Sequence, residues 1–166
     1  MITKQQFTDS CLKEIKIYKH LYGKILPGTM DFRPSEKQRS LKELLQFIMH
    51  SFAMELKGIQ AGNIGDFQAA IKESAQTNTE NFPAKMDQLA RQIKSIMETL
   101  SDGQLDEQID LFGRGSTQTR ATWLFELILK NLVGYKMQLF LYIKQTGNND
   151  IGTPDLWRGE DSKKPS

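Results

Sequence analysis

Residues 40–60 read SLKELLQFIMHSFAMELKGIQ. Leu41, Leu45, Ile48, Phe52, Leu56 and Ile59 recur at three- and four-residue intervals, which is the apolar stripe of an amphipathic helix over Ser40–Gln60. Ser40 with Glu43 three residues later reads as the capping box that starts it. Phe47 and His50 fall far off the stripe, roughly 140° and 160° from its centre at helical spacing. An aromatic ring there predicts a second contact, either a pocket wall or a subunit interface.

Three more segments carry the same period. Phe7, Cys11, Ile15, Tyr18, Tyr22 and Ile25 predict a helix from Lys4 to Ile25, stopped by Pro27-Gly28. Met86, Leu89, Ile93, Ile96, Met97 and Leu100 predict one over Phe82–Ser101, with Pro83 near its start and Asp102-Gly103 closing it. The most apolar predicted helix covers Thr119–Thr146 and is closed by Gly147-Asn148. A short helical patch is expected at Phe67–Ser74, and a glycine-bearing connection over 105–119 with a pair of short extended pieces. Four long helices make an all-α four-helix bundle the economical fold. The connections between long helices two and three, and three and four, are too long to dictate the topology. One domain over 1–158 with a flexible polar tail at 159–166 is expected.

On the last helix, Leu124, Phe125, Ile128, Leu132, Leu139 and Ile143 share one side, with Asn131, Tyr135, Gln138 and Tyr142 displaced toward one edge of it. A polar ribbon beside a core stripe fits a ligand pocket between helices. It fits equally core tyrosines with Asn131 and Gln138 at a wet boundary. His50 is a candidate acid–base group by its near-neutral pKa, or else a surface or interface histidine.

Composition narrows the rest. The chain has 166 residues, 22 basic against 20 acidic groups, net charge +2, one cysteine and two histidines. That balance predicts no nucleic-acid partner and no anionic membrane surface. The longest uncharged apolar run, Leu44–Met54, is too short to span a bilayer. A polar Met1–Gln6 and the lone Cys11, on a core stripe, point to a cytoplasmic protein. Two histidines cannot supply three imidazoles to one metal within a subunit. No phosphate loop, His-Glu-x-x-His helix or nucleophile elbow occurs, and Gly113-Arg114-Gly115-Ser116 lacks the context of one. Lys13, Lys16, Lys19 and Lys24, interleaved with Glu14, read as a solvated face.

Met30-Asp31-Phe32-Arg33-Pro34-Ser35 followed by Gln38-Arg39-Ser40-Leu41-Lys42-Glu43-Leu44-Leu45 resembles the entry to the second helix of DinB-like (YfiT-like) proteins. Asn131-Leu132-Val133-Gly134-Tyr135-Lys136-Met137-Gln138-Leu139 into Tyr142-Ile143-Lys144-Gln145-Thr146-Gly147 resembles their last helix, and Pro154-Asp155-Leu156-Trp157-Arg158-Gly159 their tail. The resemblance implies up-down-down-up connectivity and a homodimer. It also implies a divalent metal on three histidines in many members, among them thiol-dependent transferases and isomerases. By that resemblance the second-helix ligand position falls on Phe47 and the last-helix pair on Asn131 and Tyr135. Phenyl, amide and phenol replace all three imidazoles, so no metal or other cofactor is expected. The expected function is a metal-free small-ligand-binding or stress-associated bundle protein, its pocket lined by Phe47, Asn131 and Tyr135 with His50 and Gln138 nearby. The alternative is a metal- or thiol-dependent transferase or hydrolase, using His50 as base and Tyr135 as hydrogen-bond donor.

Overall fold

A helix start leaves backbone N–H groups without partners, and polar side chains ahead of the first turn supply them. Ser40 Oγ accepts the Glu43 N–H at 3.2 Å while the Glu43 carboxylate accepts the Ser40 N–H at 2.7 Å. Thr3 and Gln6 form the same reciprocal pair. The computed structural model describes residues 3–162, side chains of Phe67, Gln68 and Ala70 apart. From these two caps it runs α1 over Lys4–Tyr22 and α2 over Leu41–Ala61. Next come α3 (Phe67–Ser74), a 3-10 turn (Thr79–Asn81), α4 (Phe82–Thr99) and α5 (Asp102–Asp106). Strands β1 (Gln108–Ile109) and β2 (Gln118–Thr119) form the expected extended pair, antiparallel. The last long helix is a rod in three parts: α6 (Arg120–Trp123), a π-helical segment (Leu124–Leu129) and α7 (Lys130–Gln145), with helical dihedrals across both joins. A short α8 (Thr153–Arg158) follows.

Several boundaries differ from the sequence expectation. α1 stops at Tyr22 because the next bonds, Lys24 N–H to Leu21 O and Ile25 N–H to Tyr22 O, close tighter turns. Asp102-Gly103 does not end α4; it opens α5, capped by Ser101 with Gln104. In the rod, the Lys130 N–H reaches back to Phe125 O, five residues away. The wider turn changes the angular phase upstream of it, so Phe125, expected on the core stripe, is 43% exposed while Leu124 and Ile128 stay buried.

Contacts between helix ends fix the directions. Lys4 bonds to Leu100 O and Lys19 to Asp87 at 2.6 Å, so α1 and α4 are antiparallel. Tyr18 OH donates to Leu132 O at 2.8 Å, and Asn148 Nδ2 to Lys24 O at 2.8 Å, so α1 and α7 run parallel. Tyr142 OH donates to Arg39 O at one end of α2 and Arg120 Nε to Ile59 O at the other, so α2 and the rod are antiparallel. Gln46, early in α2, donates to Ala75 O and Thr77 O, just ahead of α4, so those two are parallel. With α1 up, α2 and α4 run down and the rod up: the up-down-down-up all-α bundle. No helix among the described residues is long and apolar enough to cross a membrane.

α1 is not the one-sided charged surface its lysines suggest. Glu14 is buried, and its Oε2 lies 2.6 Å from Nζ of Lys136, a residue with 0% exposure. Trp157 of α8 covers that ammonium, its ring centroid 4.6 Å from Nζ. α8 is held by Asp155, whose carboxylate meets His20 Nε2 at 2.7 Å and accepts the Gly152 N–H and the Ser162 N–H and O–H. Residues 159–162, expected in the flexible tail, therefore make specific contacts, including Asp161 with Lys24 at 2.7 Å; residues 163–166 lie outside the described residues.

Burial pushes the Asp155 carboxyl up, but its bonds from Ser162, His20 and Gly152 outweigh this and hold it at about 2, against 3.8 for the free group. A depressed carboxylate stabilises the fold above the unfolded value and gives that stability up as pH falls through the folded one. Asp155→Ala should cost about 2–4 kcal/mol in urea unfolding at neutral pH. The gap between wild type and variant should close between about pH 4 and pH 2.

Candidate functional site between α2 and α7

The antiparallel packing of α2 on α7 brings two of the three expected pocket residues into contact. Phe47 is buried, and its ring lies 5.1 Å from the half-buried Tyr135 ring, tilted by 57°. Phe52 meets the other side of Tyr135 edge-on at 6.3 Å. The Arg39 guanidinium stacks on Phe47 at 4.0 Å, closing the end of the cluster nearest the start of α2. Gln138 belongs to the same end, donating to Tyr142 OH at 2.9 Å. Asn131 lies one turn of α7 before Tyr135 and is half-buried. His50 faces a different neighbour: its Nε2 is 2.6 Å from Thr77 Oγ1 ahead of α4. Burial and then the nearby Lys85 charge lower its pKa, against a smaller opposing effect of Glu73. The structure thus brings Phe47 and Tyr135 together, while Gln138 bonds to Tyr142 and His50 to Thr77.

Two residues of this flank had no place in the sequence expectation. Ser51 and Glu55 follow Phe47 by one and two turns, on the side of α2 that faces the rod. From the Phe47–Tyr135 contact, one antiparallel turn sets Ser51 level with Asn131, and the next sets Glu55 level with the π-helical segment. Ser51 is 1% and Glu55 7% exposed, and neither Ser51 Oγ nor Glu55 Oε2 has a hydrogen-bond partner. Burial alone raises the Glu55 pKa to about 8. The signal was present: Glu55 ends the uncharged Leu44–Met54 run while sitting between the stripe residues Phe52 and Leu56.

Similarity to known proteins follows the same architecture. No protein-family model matches the chain. Over 152 residues it is 26% identical to the uncharacterised protein YjoA of Bacillus subtilis strain 168, spanning 91% of this chain and 96% of that protein. The crystal structure of YjoA, described as a DinB-like protein, aligns with a TM-score of 0.67 at 25% identity, over 89% of this chain and 96% of its own. In sequence and in fold the chain is similar to this DinB-like protein.

Phe47, Asn131 and Tyr135, the residues that the sequence resemblance aligns with metal-ligand positions, form a poor donor set for a transition metal. The Phe47 ring offers no donor, and an amide and a phenol are weak ligands beside imidazole. Elsewhere, His20, Asp155 and Asp161 place one ligand atom each within 4.8 Å of one another. Their atoms are already committed to the α8 anchor and to Lys24. Cys11 is fully buried, and desolvation, with the Glu14 charge added, pushes its thiol up to about 12, so it is no nucleophile. A cleft of about 550 Å³ opens at the far end of the rod, between Phe7, Met97, Leu105, Leu124 and Phe125.

Glu14 of α1 and Glu55 of α2, both buried carboxyls, should behave oppositely. Glu14 has an ammonium partner, so Lys136→Met should destabilise by about 3–5 kcal/mol in chemical unfolding, with much of the loss recovered in Lys136→Met/Glu14→Gln. Glu55 has none, and its folded pKa lies above its unfolded one. The folded state then holds the extra proton between about pH 4.5 and pH 8, so stability falls as pH rises through that window. Glu55→Gln should remove this slope and leave the variant more stable than wild type at pH 8.5, by at most about 5 kcal/mol.

Proposed function

We propose that this protein is a DinB-like, metal-free small-ligand-binding or stress-associated bundle protein. Its pocket lies between α2 and α7, where Phe47, Asn131 and Tyr135 replace the metal ligands of relatives, with Gln138 at its edge. The observation that carries this reading is a half-buried amide and phenol beside an aromatic wall. Neither the Asn131 side chain nor the Tyr135 hydroxyl is hydrogen-bonded within the described residues. Polar groups so placed, between apolar surfaces, are what orients a small molecule in a bundle site.

The same reading makes the protein a cytoplasmic homodimer, supported by its fully buried single thiol and by the exposed apolar Val133 and Leu141 two turns apart on α7. The thiol-dependent alternative needs His50 beside Tyr135, and His50 is engaged by Thr77 instead.

Elemental analysis of protein purified without chelator should find only substoichiometric zinc and nickel; one bound ion per chain would refute the metal-free reading. Phe47→His/Asn131→His/Tyr135→His, which restores three imidazoles at the family positions, should gain one zinc per chain.

A further inference from the structure

The bundle interior holds two carboxyl groups in similar isolation from water but with unequal company. Glu14 meets an ammonium, Lys136 Nζ at 2.6 Å, and an aromatic ring, Trp157, lies over that cation at 4.6 Å. Glu55 lies two turns along α2 from the Phe47–Tyr135 contact and has no cation beside it among the described residues. Its Oε2 and the neighbouring Ser51 Oγ are buried acceptors without donors. A buried carboxyl lacking both counter-ion and hydrogen bond is costly, and a ligand carrying N–H donors and a positive charge would answer both deficits at once.

We propose that the α2–α7 site binds a small primary alkylammonium ion, with the Glu55 carboxylate as its counter-ion, Ser51 Oγ and the Asn131 amide oxygen as further acceptors, and its alkyl chain directed along the interface toward the Tyr135 and Phe47 rings. This rests on the pocket reading given above and names the ligand class for it. The half-buried Asn131 and Tyr135 mark the side on which the ligand enters. Three N–H donors of an alkylammonium match three oxygen acceptors.

Glu55 is protonated in the free protein near pH 7, so binding releases one proton to solvent as the carboxylate forms. No other titratable group competes. On α2, His50 faces Thr77. On the rod, Lys136 is held by Glu14, Arg120 by Ile59 O and Glu107, and Lys130 by Glu126 at the surface. Tyr135 faces Phe47, Lys85 of α4 acts on His50, Asp87 is paired with Lys19, and Cys11 of α1 is inert. None of them contributes to the Glu55 shift, whose sole cause is burial.

Calorimetric titration of the full chain with n-butylammonium tests this, with n-pentanol as the uncharged counterpart. Affinity for butylammonium should rise about tenfold per pH unit between about pH 6 and pH 8 and level off above. Buffers of different ionisation enthalpy should report about one proton released per ligand at pH 7. Glu55→Gln should weaken binding at least about tenfold and abolish the proton release without lowering the melting temperature; Ser51→Ala should weaken binding less. Butylammonium binding that releases no proton, or that survives Glu55→Gln intact, overturns the proposal. If n-pentanol binds as tightly as butylammonium in both proteins, the ammonium inference fails while the pocket stands. If neither binds and a broad small-molecule thermal-shift panel moves nothing, the pocket reading fails with it.

Discussion

A lysine with no solvent exposure at all leaves a fold little freedom. The Lys136 ammonium has to meet a carboxylate, and Glu14 is the one it meets, so α1 and α7 are locked side by side in a single register. Sliding either helix by one turn would strand both charges in the interior. Tyr18, one turn beyond Glu14, adds a second tie between the two helices by its bond to Leu132 O. α8 depends on this pair in turn, since Trp157 lies over the ammonium and Asp155 ties the segment back to His20 on α1. With α1 and α7 set, the opposite flank of the rod is what remains for α2, and that flank carries the site.

The site therefore inherits its shape from a contact on the other side of α7. Lys136 and Tyr135 are adjacent in sequence and point to opposite interfaces: one into the α1 seam, the other against Phe47 and Phe52 of α2. A substitution in the ion pair would be felt in the aromatic cluster through the rotation of α7 alone.

Much of the scaffold was legible because it depends on period and punctuation. The Leu41–Ile59 stripe, the Ser40 capping box, Pro83 at the start of α4 and the short patch at Phe67–Ser74 all express local rules, and each stands where those rules put it. What escaped were features that exist only between segments. Glu14 among four lysines looks solvated until α7 supplies Lys136. α8 has only six residues, too few for a period, and is stabilised by partners more than a hundred residues away. On the candidate site's flank, the second contact expected of Phe47 from its offset on the helical wheel is the one it makes with Tyr135. A wheel cannot say which neighbour a flank meets, so the contact of His50 with Thr77 was not legible, and Glu55 was overlooked because a charge inside an apolar stripe reads as a helix edge.

The π-helical segment carries a consequence of another kind. Its extra backbone step separates a rod that must satisfy two masters: Arg120 and Trp123, pinned to Ile59 O and Ile109 O at one end, and Lys136 and Tyr135, pinned to α1 and α2 at the other. An uninterrupted α-helix would impose one phase on both. The widened turn acts as a coupling that lets the two ends be indexed independently, so single-residue insertions or deletions in the chain can be absorbed there without turning the site face away from α2.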